Sequence, residues 1–568
     1  MYTSQDHPEH RVRTEQGPAQ LRIHLLGPHP ILNHFLARMT LPRIVRSCLG
    51  SPHESRLDHA QTLACLLHNI LLSPGPLYRI ADWVHPIEPR ALELGALEKA
   101  ALNDDRVART LDVLATDRSR SLFFRLALHL IRDFELDVHR IHQDTTTVTF
   151  YGQYRTSWRV PQITHGINKD HRPDLKQLVF GLSVTADGAV PLLHEVHSGN
   201  RTDDTLHRSN LDRLREILGT GEFIYVADCK LCTAKNLQHI VEHRGRFVTV
   251  MPRTRVEDRE FRERLRRSSV RWRRIHVQPN GRRQSDPPDV YESTAEGPQV
   301  TKEGYRLIWI RSSQKAAGDA EARRRALEAA GAELVDLGAR LNRGRLRRRG
   351  SILKSAQAVL KRYSCEGLLR LVLHTETRVR VRHLRRGRPS RGDPVREERR
   401  AWYRLEFAPD EDALQGQART DGVFPLITNL PARPYTKKEV LLIYKYQPYV
   451  EKRHALLKSE LEVAPVYLKR PQRIVGLVHA HFLAMVLEAL IERTVRLSMV
   501  REGIESLPIL PEGRLTKTPT APRILEKFTG ASWYEFERGD ETVTFPIELT
   551  SLQKQLLHLL GMDPRAYD

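Results

Sequence analysis

The chain has 568 residues, enough to bury several cores, and length alone suggests two to four domains. Lys and Arg number 91 against 69 Asp and Glu, giving a formal net charge of +22 and a pI of about 9.9. This excess favours nucleic acid over an acidic membrane surface, because neutralising phosphates releases condensed counterions; no apolar run reaches the roughly 18 residues of a membrane span, and the polar first residues are no secretory signal.

Residues 1–24 read as a disordered N-terminal tail. From 25 to 135 the pattern is all-helical, a domain suited to DNA binding or dimerisation. Apolar residues recur at spacings of three and four in Ile31, Phe35 and Met39, in Leu63, Leu66, Leu67 and Ile70, and in Val107, Leu111 and Leu114. Ser73-Pro-Gly-Pro76 stops a helix. Asn103-Asp104-Asp105 supplies an N-cap with acid in the first turn.

From residue 136 the period changes to two. Residues 138–150 read as a strand with Asp144, Val148 and Phe150 on one face, and 176–185 with 190–197 as a hairpin about Ala186-Asp187-Gly188. A helix (203–218), a strand (223–227) running into Asp228, a helix (234–243) and a strand (246–251) follow. Three strands, a helix, a strand, a helix and a strand is the order of a ribonuclease-H-like core. In that fold acidic residues at the ends of the first and fourth strands lie side by side. The expected fold class is therefore α/β: such a core in two parts, 136–255 and 431–500, interrupted by a mixed or β-rich insertion at 256–430.

Within the insertion, 305–310, 368–374, 378–384 and 401–407 are strand-like and 320–340 is a charged helix. Residues 343–349 and 378–400, with the tip Arg385-Arg386-Gly-Arg388-Pro-Ser-Arg391, are strongly basic. A charge run is usually a solvated face; beside phosphate chemistry these runs read as nucleic-acid contacts. The helix 448–462 returns to the core, with Pro448 at its first position and Val450, His454, Leu457 and Leu461 as its buried stripe. Glu451 and Lys458, seven apart, point in nearly the same direction at the edge of that stripe. Residues 482–497, with Glu488, Glu492 and Arg493 at helical spacing, read as an amphipathic core helix. Leu507-Pro-Ile-Leu-Pro511 leads into a C-terminal tail module, 501–568 taken as a whole.

Asp144, Asp228 and Glu451 are three carboxylates that the fold would bring together on divalent metal. Cleaving or joining phosphodiesters without a covalent protein intermediate needs such metal, and hard cations want oxygen ligands. The bland reading of a lone Asp before a Thr run is a cap or turn residue. Five scattered cysteines (Cys48, Cys65, Cys229, Cys232 and Cys365) suit a reducing compartment. Cys229-x-x-Cys232 offers only half a zinc site and reads as two small residues at a strand-to-helix turn. His194-Glu195-Val196-His197 is not HExxH, since its histidines fall on opposite faces of a strand. Lys169-Asp170-His171-Arg172 reads as an ordinary polar loop.

Asp144-Thr-Thr-Thr, Phe150-Tyr-Gly152 and the run from His165 to Gln177 resemble the first catalytic block of bacterial insertion-sequence transposases of the DDE class, and Gly199-Asn-Arg-Thr-Asp203 continues the likeness. Tyr225-Val-Ala-Asp228 followed by Asn236 resembles the second block. The third resembles the family's Tyr-x2-Arg-x3-Glu-x6-Lys signature, read at Tyr444, Gln447, Glu451 and Lys458, in the branch with a large insertion. The resemblance, over roughly residues 25–500, implies that Asp144, Asp228 and Glu451 hold two Mg²⁺ ions (Mn²⁺ substituting) and that Tyr444, Gln447 and Lys458 contact DNA. Gln447 stands at the Arg position, and an amide lacks the charged bidentate fork. Also implied are end cleavage and 3′-OH strand transfer, element-end and target DNA as partners, a homodimer in the DNA complex and a bacterial cytoplasmic location. Relatives stack a flipped base on an aromatic residue of the insertion, for which Trp272, Trp309 and Trp402 are candidates. The alternatives are an inactive transposase-derived DNA-binding protein, favoured only by Gln447, and a ribonuclease-H-like nuclease without strand transfer.

Overall fold

The computed structural model describes residues 12–14, 17–50, 55–154, 160–169, 172–279, 286–384, 395–459, 461, 468–538 and 541–568; the basic tip 385–391, Asp170-His171 and residues 465–467 lie outside the described residues. The fold is mixed α/β and divides into two compact units, Met1–Thr249 with Leu442–Asp568, and Val250–Leu441.

In the first unit, helices His29–Arg38, Leu41–Leu49, His59–Leu72, Asp104–Leu114 and Arg118–Asp133 form the main N-terminal layer. The stripes read from spacing are buried: Ile31, Phe35, Met39, Val107, Leu111 and Leu114 are all at 0% exposure. Each such side chain contributes about 1.5–3 kcal/mol by leaving water. The Asn103 side chain accepts the Arg106 N–H at 2.9 Å, capping Asp104–Leu114, and Ser73 ends His59–Leu72. One expectation fails here. Residues 17–24 are not a tail: the strand Gly17–Leu25 pairs antiparallel with Ser532–Arg538, and with Val12–Thr14 and Glu541–Phe545 makes a four-stranded sheet. Its partner lies at the opposite end of the chain, so no local signal announces the pairing.

The core follows. β1 (Arg140–Phe150), β2 (Lys176–Thr185), β3 (Pro191–Ser198), α1 (His207–Leu218), β4 (Ile224–Ala227), α2 (Ala234–Glu242) and β5 (Arg246–Val250) succeed one another in the expected order. The strands lie side by side as β3-β2-β1-β4-β5, antiparallel across β3, β2 and β1 and parallel from β1 through β4 to β5. Parallel neighbours need a crossover connection, and α2 supplies it between β4 and β5. β2 is buried at nine of its ten residues, as a strand covered on both faces must be.

The second unit holds α3 (Val256–Arg267) and an antiparallel sheet of β6 (Arg273–Gln278), β7 (Asp289–Thr294) and β8 (Arg306–Ser312), closed by the later β11 (Val423–Thr428) beside β8. α4 (Ser313–Ala339) and α5 (Arg349–Arg362) pack through Ala330, Leu334, Leu337, Ala356 and Leu360. The strand-like pieces 368–374 and 378–384 prove to be one strand, β9 (Leu369–His383), paired along its whole length with β10 (Val395–Pro409) as a two-stranded ribbon. Trp309 is core, at 0% exposure, with its Nε1–H donated to the Pro298 carbonyl at 2.8 Å; Trp272 lies under the Arg311 guanidinium; Trp402 is exposed on the ribbon.

α6 (Lys437–Tyr444), α7 (Pro448–Ser459) and α8 (Pro471–Arg501) complete the chain's main elements. Val450, His454, Leu457 and Leu461 are buried, as the stripe requires. The amphipathic reading of 482–497 is corrected over most of its length: α8 is buried all round from Ala480 to Glu492, Glu488 and Glu492 included, and its last turns, with Leu497, reach solvent. α8 is also long and apolar enough to cross a membrane, contrary to the run-length count, and 94% of its most apolar 18-residue window is buried inside the protein. It is the central post of its unit, packed by the helices Asp104–Leu114 and His59–Leu72, by β3 and by Ser551–Leu560. At Gly476 an added Cβ would fall 2.2 Å from the Leu111 carbonyl oxygen, so only glycine permits that approach. Glu492 tolerates burial because Arg453 binds it at 2.9 Å and also donates to the Gly188 and Ala189 carbonyls.

Candidate active site

Asp144 is the fifth residue of β1, and the β1–β4 register pairs Ile141 with Tyr225 and His142 with Val226. Two residues further on, Asp144 comes level with Asp228 on the same face, at a strand spacing of about 4.8 Å. Asp144 is therefore not at a strand end, as the sequence suggested. It is β4 that stops, at Ala227, while β1 runs on to Phe150. The Asp228 carboxylate accepts the Lys230 N–H at 2.9 Å, capping the turn Cys229–Leu231, and Thr249 donates to the Asp228 carbonyl at 2.6 Å. Cys229 and buried Cys232 are unbridged residues of that turn.

Glu451 comes from the first turn of α7 and is exposed. One turn later on the same helix side, the buried His454 places Nδ1 3.5 Å from Asp144 Oδ2. The Lys169 ammonium lies 3.9 Å from Asp144 Oδ1 and donates to the Thr145 hydroxyl at 2.8 Å and the Thr145 carbonyl at 2.5 Å. The Thr145 N–H reaches Asp144 Oδ1 at 2.7 Å. Burial pushes the Asp144 carboxyl up; His454, Lys169 and the Thr145 N–H outweigh it and hold the carboxyl below its usual range.

Tyr444, the last residue of α6, senses all three carboxylates. Burial first, then the negative charges of Asp228, Glu451 and Asp144 with the neighbouring Cys229 thiol, push its phenol well above the usual tyrosine range. It stays a protonated donor at neutral pH, surrounded by acids. Asp144, Asp228, Glu451 and Tyr444 thus share one electrostatic neighbourhood. Lys458 is half-buried two turns along α7 from Glu451, roughly 10 Å further along the axis. Gln447 does not join them as a surface contact. It is 4% exposed, its Nε2 donates to the Gln143 carbonyl at 2.8 Å, and its Oε1 lies 3.1 Å from His142 Nδ1. The amide expected to meet phosphate instead fastens the α6–α7 turn to β1.

Two site residues escaped the sequence reading. His454 had been assigned to the core stripe alone, although its position three residues after Glu451 was a signal. Lys169 lies in the run His165–Gln177 that resembles the first catalytic block, although composition alone reads its loop as merely polar.

An all-oxygen donor set suits a hard cation. The three carboxylates are spread wider than a one-ion set: among the described residues, the group whose ligand atoms all lie within 4.8 Å of one another is Asp212, His239 and His243. The Asp212 group joins α1 to α2, with His239 Nε2 2.8 Å from Asp212 Oδ1 and His243 Nδ1 donating to the His239 carbonyl at 2.7 Å. These bonds account for it as a helix–helix staple.

The family model described as "Domain of unknown function (DUF4277)" matches residues 21–128. No curated protein matches the chain. Solved structures similar to it include the cryo-EM structure of the piggyBac transposase synaptic complex with hairpin DNA, at 8% identity and a TM-score of 0.36, over 95% of this chain and 83% of that one. A likeness of that strength carries nothing about the chemistry.

Proposed function

We propose that this chain is a DNA transposase of an insertion sequence, with Asp144, Asp228 and Glu451 as its metal-holding carboxylates on a ribonuclease-H-like core. What supports the reading is that Asp144 lies on β1 beside β4, which ends at Ala227 just before Asp228, and that His454, one turn after Glu451 on α7, places Nδ1 3.5 Å from Asp144 Oδ2. The sheet order β3-β2-β1-β4-β5, with its antiparallel and parallel halves, supports the same core. The net charge of +22 supports a polyanionic substrate.

On this reading the three carboxylates hold Mg²⁺, which supplies an activated oxygen nucleophile and stabilises the leaving oxygen. His454 and the Thr145 N–H orient Asp144 toward the cluster, and Lys169 balances its charge. Tyr444, kept protonated, donates a hydrogen bond to a backbone phosphate, and Lys458 meets the same strand two helical turns away. The element's 3′-OH then serves as the nucleophile for strand transfer, in a homodimer bridging two ends. Gln447, the one ground for an inactive derivative, is buried and bonded to His142 and the Gln143 carbonyl, a structural role compatible with either reading.

The test is cleavage of labelled duplexes carrying the inverted repeats that flank the coding DNA, with Mg²⁺, by wild type and Asp228→Ala. Cutting by wild type alone, with end binding kept in the variant, supports the enzyme. End binding by both with no cutting by either leaves a DNA-binding protein. Cutting by wild type without transfer of the 3′ end to a target duplex leaves a nuclease.

A further inference from the structure

We infer that the β9–β10 ribbon is a double-stranded DNA clamp that works through one face only, its arginine face, an assignment that rests on the transposase reading. All fifteen residue pairs from Leu369–Pro409 to His383–Val395 are in register, so the ribbon is roughly 50 Å long at about 3.3 Å per residue. Residues opposite one another in an antiparallel pair share a face, and the register puts even-numbered residues of both strands on one face and odd-numbered residues on the other. The even face carries seven arginines and three glutamates, a net +4, and the odd face one arginine and one glutamate.

Packing decides which face is presented at the base of the ribbon. Leu369, Leu371, Leu405 and Phe407, all on the odd face, sit on the α4–α5 cluster of Leu334, Val359 and Leu360, so the even face there points away from the helices. Further out, from Thr377 and Ala401 to the end of the pairing, both faces meet solvent and charge alone sets the even face apart. The side chains of Arg378, Arg382, Arg400 and Arg404 are 54–71% exposed. Glu398 holds the Arg400 guanidinium at 2.7 Å and Glu406 holds that of Arg404 at 2.6 Å, splaying both along the ribbon. Arg378 also lies 4.1 Å over the Trp402 ring on the same face. The second basic run joins it: Asn342 bonds both backbone groups of Tyr403, at 2.8 and 2.9 Å, and so brings Arg343 to the edge of the cavity lined by Arg378, Trp402 and Arg404.

The partner follows from the charge and the spacing. Alternate residues of a strand stand about 6.6 Å apart, so Arg378, Arg380 and Arg382 form a straight, regular row of cations that can follow successive phosphates of one strand. A straight row of this kind fits a stiff duplex, whose phosphates keep a fixed path, better than a flexible single strand. A two-stranded ribbon also fits the roughly 12 Å major groove.

The experiment uses the full-length chain, a fluorescein-labelled 30-base-pair duplex without element ends, and anisotropy from 50 to 200 mM salt. Arg378→Gln/Arg380→Gln/Arg382→Gln is expected to weaken binding at least tenfold at 100 mM and to flatten the log–log salt slope by about 2–3, near 0.9 per lost contact. The Arg→Lys triple variant should keep most of the affinity, and Arg399→Gln, one charge lost from the odd face, should stay within twofold of wild type. A triple Gln variant that binds like wild type, or an Arg399→Gln loss as large as that of Arg380→Gln alone, overturns the face assignment. Equal losses on a 30-nucleotide single strand overturn the duplex assignment. Failure here alongside metal-dependent end cleavage by wild type sinks only the ribbon; a wild type that neither binds nor cuts DNA sinks the transposase reading.

Discussion

Replacing Gln447 decides between two physical accounts of one residue. Its amide is 4% exposed and serves the buried His142 ring and the Gln143 carbonyl. In Gln447→Ala both partners lose their bond in a place water does not reach, at about 1–3 kcal/mol for each unsatisfied group. The expected loss is about 2–6 kcal/mol, read as a lower urea midpoint of the full chain, with the DNA affinity of the folded protein at 100 mM salt within about twofold of wild type. Gln447→Arg, which restores the family signature, is expected to destabilise as well, because it buries a guanidinium beside His142. A phosphate contact predicts the reverse: stability within about 0.5 kcal/mol of wild type and DNA binding weakened several-fold at 100 mM salt in the alanine variant, with the salt slope unchanged because a neutral amide releases no counterion. That result would refute the buried-bracket account.

Burial lowers His29 and His142 from 6.5 to about 4, so both are neutral in the folded chain. Because the unfolded state binds the extra protons, stability holds above about pH 6.5 and falls toward pH 4, by about 1.4 kcal/mol per unit for each ring; urea midpoints at pH 7 and 5 should differ accordingly, and less so in His29→Leu. Arg453→Ala removes the 2.9 Å partner of buried Glu492 but leaves it Arg496 at 3.4 Å and the Ala521 N–H, and should cost about 1–3 kcal/mol, whereas an unchanged thermal midpoint would show that the pair contributes little. Lys169→Met removes the ammonium 3.9 Å from Asp144 that competes with a cation for the same carboxylate. Half-maximal end cleavage should then need several-fold less Mg²⁺, and a rise in the requirement would contradict that competition.

Much of the architecture was written locally. The N-terminal helices were legible because Ile31, Phe35 and Met39, and Val107, Leu111 and Leu114, repeat at helical spacing and every one is buried. The strand–helix alternation of the core was legible because period two and period 3.6 are properties of a short segment. What failed was non-local. Gly17–Leu25 found its partner at Ser532–Arg538, and the middle of α8 is buried all round because helices from both ends of the chain surround it.

The sequence by itself determined the identity and chain order of Asp144, Asp228, Glu451 and Tyr444, since their motifs depend only on neighbours along the backbone. Tertiary structure alone decided that Gln447 faces inward, that Lys169 returns to Asp144 and that His454 belongs to the cluster as well as to the core. It also decided which face of the ribbon's base packs on the helices. A side chain's direction is set by what packs behind it, and that packing joins segments hundreds of residues apart.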